Sequence, residues 1–258
     1  MAISAATGAA ASNSTAGTSL AAAAFSATAG QHIFVAVALQ ATTASVSSIT
    51  DTAGNSYARQ SAATNGTSVR VELWAATNIT GNASNVVTVN FSASTLAAIA
   101  IEEYAGLVST YIGNTATATG SSAWPSASLA AQDGGNWTVA AAGFACQSGD
   151  SFSAWEGTVR QSAVPALTSV GVALVDVATA GDGTIPAGAQ LSTSRAWAAA
   201  AAEMRTHAAA IRYAGYTGPS PFPADAMLRL TTGLIHYATP LRLAPKTIGG
   251  GGAWTFAA

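Results

Sequence analysis

Glu102 and Glu103 are neighbouring carboxylates, and a pair of carboxyl groups is the machinery of glycoside hydrolysis. Neighbours on a strand point to opposite faces, so these two cannot straddle one glycosidic bond. The pair therefore reads as structural, with Glu102 and Tyr104 on one face and at least one carboxylate turned to solvent or to an arginine. Asp51 and Asn55 bracket a glycine turn and offer oxygen ligands of the kind calcium takes. The loop lacks the dense carboxylates of a calcium loop, so Asx-turn bonding to the local backbone is the simpler expectation. No cofactor is implied. Of the six tryptophans, Trp124 and Trp155 lie in polar, loop-like contexts. An exposed indole face suits a pyranose ring, which makes these two the preferred residues for a glycan platform, although core packing is the commoner fate of a tryptophan in a sandwich.

His32, His207 and His236 are isolated, and no serine sits in a nucleophile-elbow context. There is neither a P-loop nor a G-x-G-x-x-G segment following a strand, so nucleotide binding has no support. Cys146 is the only cysteine, which excludes an internal disulfide and reads as a buried, inert thiol. These residues together suggest a protein that is not an enzyme.

The elements that must position these side chains are strands. In His32 to Gln40, Ile33, Val35, Val37 and Leu39 share one face; in Ser68 to Ala76, Val69, Val71 and Leu73 oppose Arg70, Glu72 and Trp74. Val87, Val89 and Phe91 repeat the pattern, as do Val170, Val172 and Leu174. Turn-forming clusters separate them, among them Asp51 to Asn55, Asn65-Gly66, Gly113-Asn114 and Gly149-Asp150. The expected fold is all-β, an antiparallel sandwich of jelly-roll-like or immunoglobulin-like form. Ser194 to Thr206 is helix-forming by propensity, yet it reads as the last core strand, because small residues let two sheets approach closely.

The chain of 258 residues divides by composition into a lead segment 1–16, a sandwich over 17–206 and an extended arm over 207–258. Only 8% of residues are charged, the net charge is −2, and there is no basic field to favour nucleic acid. No apolar run approaches the roughly 20 residues a spanning helix needs. Pro219, Pro221 and Pro223 favour an extended connector, and Phe222, Leu228, Leu230, Trp254 and Phe256 make the arm apolar. These eight residues are the expected oligomer contacts. Met1 to Gly30 has no basic residue ahead of an apolar stretch, unlike a secretory signal peptide.

Asp51-Thr-Ala-Gly-Asn-Ser-Tyr57, Glu72-Leu-Trp-Ala-Ala, Val86-Val-Thr-Val-Asn-Phe91 and Glu102-Glu-Tyr-Ala-Gly-Leu107 follow one another in order. They resemble a bacterial and phage β-sandwich surface module with the pattern D-x-x-G-N-x-Y, W-x-A, T-V-T-V, E-Y-x-G. Trp197 to Met204 is similar to that module's closing strand. The resemblance spans about residues 17 to 206 and implies display and adhesion rather than a shared reaction. The function expected is a non-enzymatic structural protein of a tailed-phage virion, a head-decoration or tail component. It would be made in the host cytoplasm and would assemble with copies of itself and other virion proteins through the arm. The alternative is a carbohydrate-binding or adhesin module whose partner is a host-surface glycan.

Overall fold

A computed structural model describes residues 3–107, 112–132, 135–165, 168–178 and 183–205. The expected arm at 207–258, with its contacts Pro219, Pro221, Phe222, Pro223, Leu228, Leu230, Trp254 and Phe256, lies outside the described residues.

Among the described residues eighteen strands form and no helix does. They are β1 (Ser4–Ser12), β2 (Gly17–Ala21), β3 (Phe25–Ala27), β4 (His32–Leu39), β5 (Val46–Asp51), β6 (Ala58–Asn65), β7 (Val69–Ala76), β8 (Asn82–Asn85), β9 (Val87–Thr95) and β10 (Ala97–Ala105). The second series is β11 (Ile112–Ser122), β12 (Ser126–Gln132), β13 (Trp137–Cys146), β14 (Phe152–Glu156), β15 (Thr158–Ala163), β16 (Ser169–Ala178), β17 (Gly183–Leu191) and β18 (Arg195–Met204).

The first series builds a five-stranded sheet in the order β1-β10-β4-β7-β6, a three-stranded sheet β2-β9-β5 and the pair β3-β8. The second builds a five-stranded sheet β11-β18-β13-β16-β15 and a three-stranded sheet β12-β17-β14. With β3 and β8 set aside, the two series repeat one topology strand for strand. In each, the first strand lies beside the last, the second beside the seventh and the third beside the sixth, which is jelly-roll connectivity. The fifth strand, β6 or β15, joins the sixth rather than the fourth. The antiparallel sandwich expected from the sequence is thus present twice.

The four main sheets stack in layers. The two five-stranded sheets meet face to face over Phe34, Val71, Leu73, Val172, Leu174 and Met204, with a bed of small residues, Ala36, Ala38, Ala98, Ala100, Ala198, Ala200 and Ala202, between them. The outer face of the first sheet, lined by Ile33, Val35, Val37 and Leu39, is covered by Ile49, Val87, Val89 and Phe91. The outer face of the second is covered by Leu129, Ala187 and Leu191. The central interface is self-complementary: β1 packs on β15 as β11 does on β6, β10 on β16 as β18 does on β7, and β4 meets β13. Such an isologous arrangement is that of a twofold dimer joined into one chain.

Two layers of contact explain where the sequence pattern misleads. β4, which alternates like a half-buried strand, is buried at every position because sheets cover both its faces. The proposed lead segment 1–16 contains β1, which pairs with β10 from Ser4↔Ala105 to Ser12↔Ala98 and so belongs to the first sandwich. Gly113-Asn114, expected as a turn, is a bulge within β11 opposite β18. Residues 195–204 are a strand, against the helix propensity of their alanines, because the interface admits little beyond a methyl group there.

Candidate functional site

The two tryptophans singled out from the sequence come together. Trp124 precedes β12 and Trp155 lies in β14, and their ring centroids are 4.8 Å apart at 55°. They are the exposed large hydrophobic side chains of the described residues, at 41% and 42% exposure. The pairing of β14 with β17 is interrupted between Ala154 and Glu156, which leaves Trp155 as the extra residue of a bulge. A bulge re-aims the side chain it carries. Beside the pair, Ser126 donates its hydroxyl to Glu156 Oε2 at 2.8 Å. Ser126 and Glu156 both stand opposite Gly188 of the central strand β17, and Gly188 has no side chain to come between them. A Cβ at Gly188 would strike the Pro125 carbonyl oxygen and lie 2.8 Å from Ser126 Cβ, so this close crossing requires glycine. Ala187 and Ala189 point into the core, which puts Gly188 and the Ser126–Glu156 bond on the solvent face of the sheet.

Asp51 and Asn55 form a closed knot. The Asp51 carboxylate accepts the Asn55 N–H and Nδ2–H, each at 2.8 Å, the Tyr57 hydroxyl at 2.8 Å and Asn85 Nδ2 at 3.1 Å. Asn55 Oδ1 in turn accepts the Thr80 N–H at 2.7 Å, and Gly54 takes φ 75° to close the turn. Burial acts to raise the Asp51 carboxyl, but these bonds outweigh it and hold the group below its ordinary value. The oxygens proposed for calcium are already engaged by N–H and O–H donors, whose positive ends would repel a cation. The Asp, Gly, Asn and Tyr of the D-x-x-G-N-x-Y pattern are the residues that tie this turn.

Glu102 and Glu103 point to opposite faces, as their adjacency demands, and neither faces solvent. Glu102 accepts Gln161 Nε2 at 3.0 Å across the central interface, and burial pushes its carboxyl up. Glu103 accepts the Thr28 N–H at 2.8 Å on the outer side. Nearby, Tyr104 donates to Asp176 Oδ2 at 3.0 Å, and Arg160 Nε lies 2.6 Å from the same oxygen. Burial, then Asp176, drives the Tyr104 phenol well above its ordinary value. Tyr104 from the first sandwich and Arg160 from the second both hold Asp176, and the three side chains clamp the two sandwiches together. His32 is buried and its imidazole is pushed down by burial. Cys146 is buried and its thiol is pushed up by burial.

No family model matches the chain, and no curated protein or solved structure does. Among the described residues no group of three or more His, Cys, Asp or Glu is placed to hold a metal ion. The exposed aromatic pair is therefore the candidate site that remains. Sequence reasoning picked out both tryptophans but missed Ser126, Glu156 and Gly188. Their signal, a common register position opposite Gly188 on the strands flanking β17, is visible only once the strands are ordered.

Proposed function

We propose that the protein is a non-enzymatic structural component of a tailed-phage virion, assembling with copies of itself and with other virion proteins through its C-terminal segment. The observation that supports the structural, non-enzymatic part of this reading is the use made of the buried acids. Glu72, Glu102, Glu103, Asp150, Asp176 and Glu203 are each held by donors that join strands or turns. Arg70 and Trp74 bind Glu72, Arg195 binds Asp150 through both its oxygens, and Arg205 binds Glu203. In a chain with only 8% charged residues, carboxylates committed in this way serve architecture. Jelly-roll sandwiches recur in capsid proteins and in lectins, and the fold by itself is compatible with either.

The described strands all belong to one compact unit, so a chain stopped at Gly218 is expected to fold. Size-exclusion chromatography with light scattering on the full chain and on this truncation tests the proposal. A full-length oligomer that becomes monomeric on truncation supports assembly through residues 219–258. Two monomers would count against self-assembly through that segment.

A further inference from the structure

We propose that the solvent face of the β12-β17-β14 sheet is a binding site for a neutral pyranose of an oligosaccharide, with Trp124 and Trp155 as its stacking surface and Glu156 as its hydroxyl acceptor. This goes beyond assembly and is independent of it.

The first ground is that the fold has no need of the aromatic pair. The first sandwich presents the same face on β2-β9-β5, and there Ser19, Ser48, Thr88 and Asn90 stand where no aromatic is present, with Asn90 Nδ2 bonded to Ser48 Oγ at 3.2 Å. Two indoles each more than two-fifths exposed are an outlier on so polar a surface. The second ground is the chemistry around them. Neither indole N–H and not Glu156 Oε1 is bonded among the described residues, whereas Glu156 Oε2 is fixed by Ser126. The site thus combines an apolar face with two N–H donors and one carboxylate oxygen that no described residue engages, the carboxylate being held in place by a neighbour. A pyranose ring matches it, with C–H groups on one side and hydroxyls around the edge.

The same features argue against other occupants. Glu156 is the one charge among the described residues of these three strands, so an anionic sugar or a phosphate on them would meet repulsion with no cation of the same strands to offset it. A lipid surface would bring the same conflict. Two side chains in a polar surround are also a small area for a protein interface, which needs about 800 Å² per partner.

Affinity electrophoresis of the full chain in native gels containing hydroxyethylcellulose, galactomannan or glycogen tests the proposal, with chondroitin sulfate as the anionic comparison. At least one neutral polymer should retard the protein, and Trp155→Ala and Trp124→Ala should each weaken retardation by about tenfold or more. Trp155→Phe, which keeps an aromatic face, should retain part of it, Glu156→Gln should weaken it, and Asn90→Ala on the equivalent face should leave it unchanged. Because both tryptophans are exposed, the thermal midpoints of the alanine variants should stay within a few degrees of wild type. The proposal is overturned if no neutral polymer retards the wild type, if only chondroitin sulfate does, or if Trp155→Ala is retarded as strongly as wild type. Dimerisation abolished by Trp155→Ala would also overturn it, in favour of a second copy as the occupant.

Discussion

Glu103 and Glu203 occupy equivalent positions in the two five-stranded sheets, each opposite a bulge in the first strand of its own sheet. Glu103 pairs with Ile33 and Glu203 with Thr138, and the bulges fall between Ala5 and Gly8 and between Ile112 and Thr115. Glu103 takes the Thr28 N–H and lies 3.1 Å from the Thr7 hydroxyl, which it shares with the Ser26 carbonyl. Glu203 takes the Asn114 N–H at 3.1 Å, Asn136 Nδ2 at 2.8 Å and Arg205 at 2.8 Å. A bulge leaves ladder donors unpaired, and in the second sandwich Glu203 accepts one of them, the Asn114 N–H; in the first, Glu103 instead ties the bulge through the Thr7 hydroxyl and holds the Thr28 N–H beyond β3.

Removing that acceptor should be expensive. Glu203→Ala removes the acceptor of the Arg205 guanidinium and of the Asn114 N–H and is expected to cost about 3 kcal/mol; Glu103→Ala, with neutral donors only, about 2 kcal/mol. Urea denaturation midpoints check both. A loss below about 0.5 kcal/mol at either position would contradict the role assigned to it.

The sheets meet closely enough that Gly143 has no room for a methyl group. A Cβ there would lie 2.5 Å from Val71 Cγ2 and 3.1 Å from Ala38 Cβ. Gly143→Ala is therefore expected to destabilise by about 1 to 3 kcal/mol through overpacking, although alanine normally favours order over glycine. A stabilised variant in a thermal melt would show that the central interface is looser than this geometry requires.

Asp176 has two donors, Tyr104 from the first sandwich and Arg160 from its own sheet. Tyr104→Phe is expected to cost about 1 kcal/mol while Arg160 remains. With Arg160→Ala the aspartate is left buried without either, so the double variant should lose more than the sum of the singles. A double-mutant cycle that adds would remove the case for a shared clamp.

Acid should unfold the protein through Asp51 and Asp150. Both carboxyls lie below the ordinary value, Asp150 first of all through the hydrogen bonds from Arg195 and Asp51 because its bonds outweigh burial. Their contribution is fully present above about pH 4, the unfolded value, and is lost as pH falls through the lower folded values. Glu102 has the opposite sign, since its folded value is raised by burial and its charged form destabilises as pH rises through that value. Glu102→Gln should thus be more stable relative to wild type at pH 7 than at pH 4, and Asp150→Asn should lose the Asp150 share of the acid transition. Chemical denaturation across pH 3 to 8 tests both signs.

Alternation along Val69 to Ala76 and Val87 to Phe91, with turn residues between, determined that this chain is all-β and antiparallel, because period two states which face of a strand is apolar. It does not state which strand lies alongside. Only the tertiary structure decided that sixteen of the eighteen described strands sort into two jelly rolls sharing one interface, and that β1 is part of the first. One clue was present. Arg59-Gln-Ser-Ala62 and Arg160-Gln-Ser-Ala163 are identical and lie on the corresponding strands β6 and β15. Yet the two copies are one position out of step: Ser61 stands opposite Leu73, whereas Gln161 stands opposite the equivalent Leu174. A shift of one residue turns a side chain to the other face, so Arg59 reaches Glu72 on the outer side while Arg160 reaches Asp176 between the sheets. The tryptophans show the same division. Polar surroundings marked Trp124 and Trp155 as exposed, but their contact exists only because β12 and β14 flank β17, a pairing set by long-range burial that no local pattern encodes.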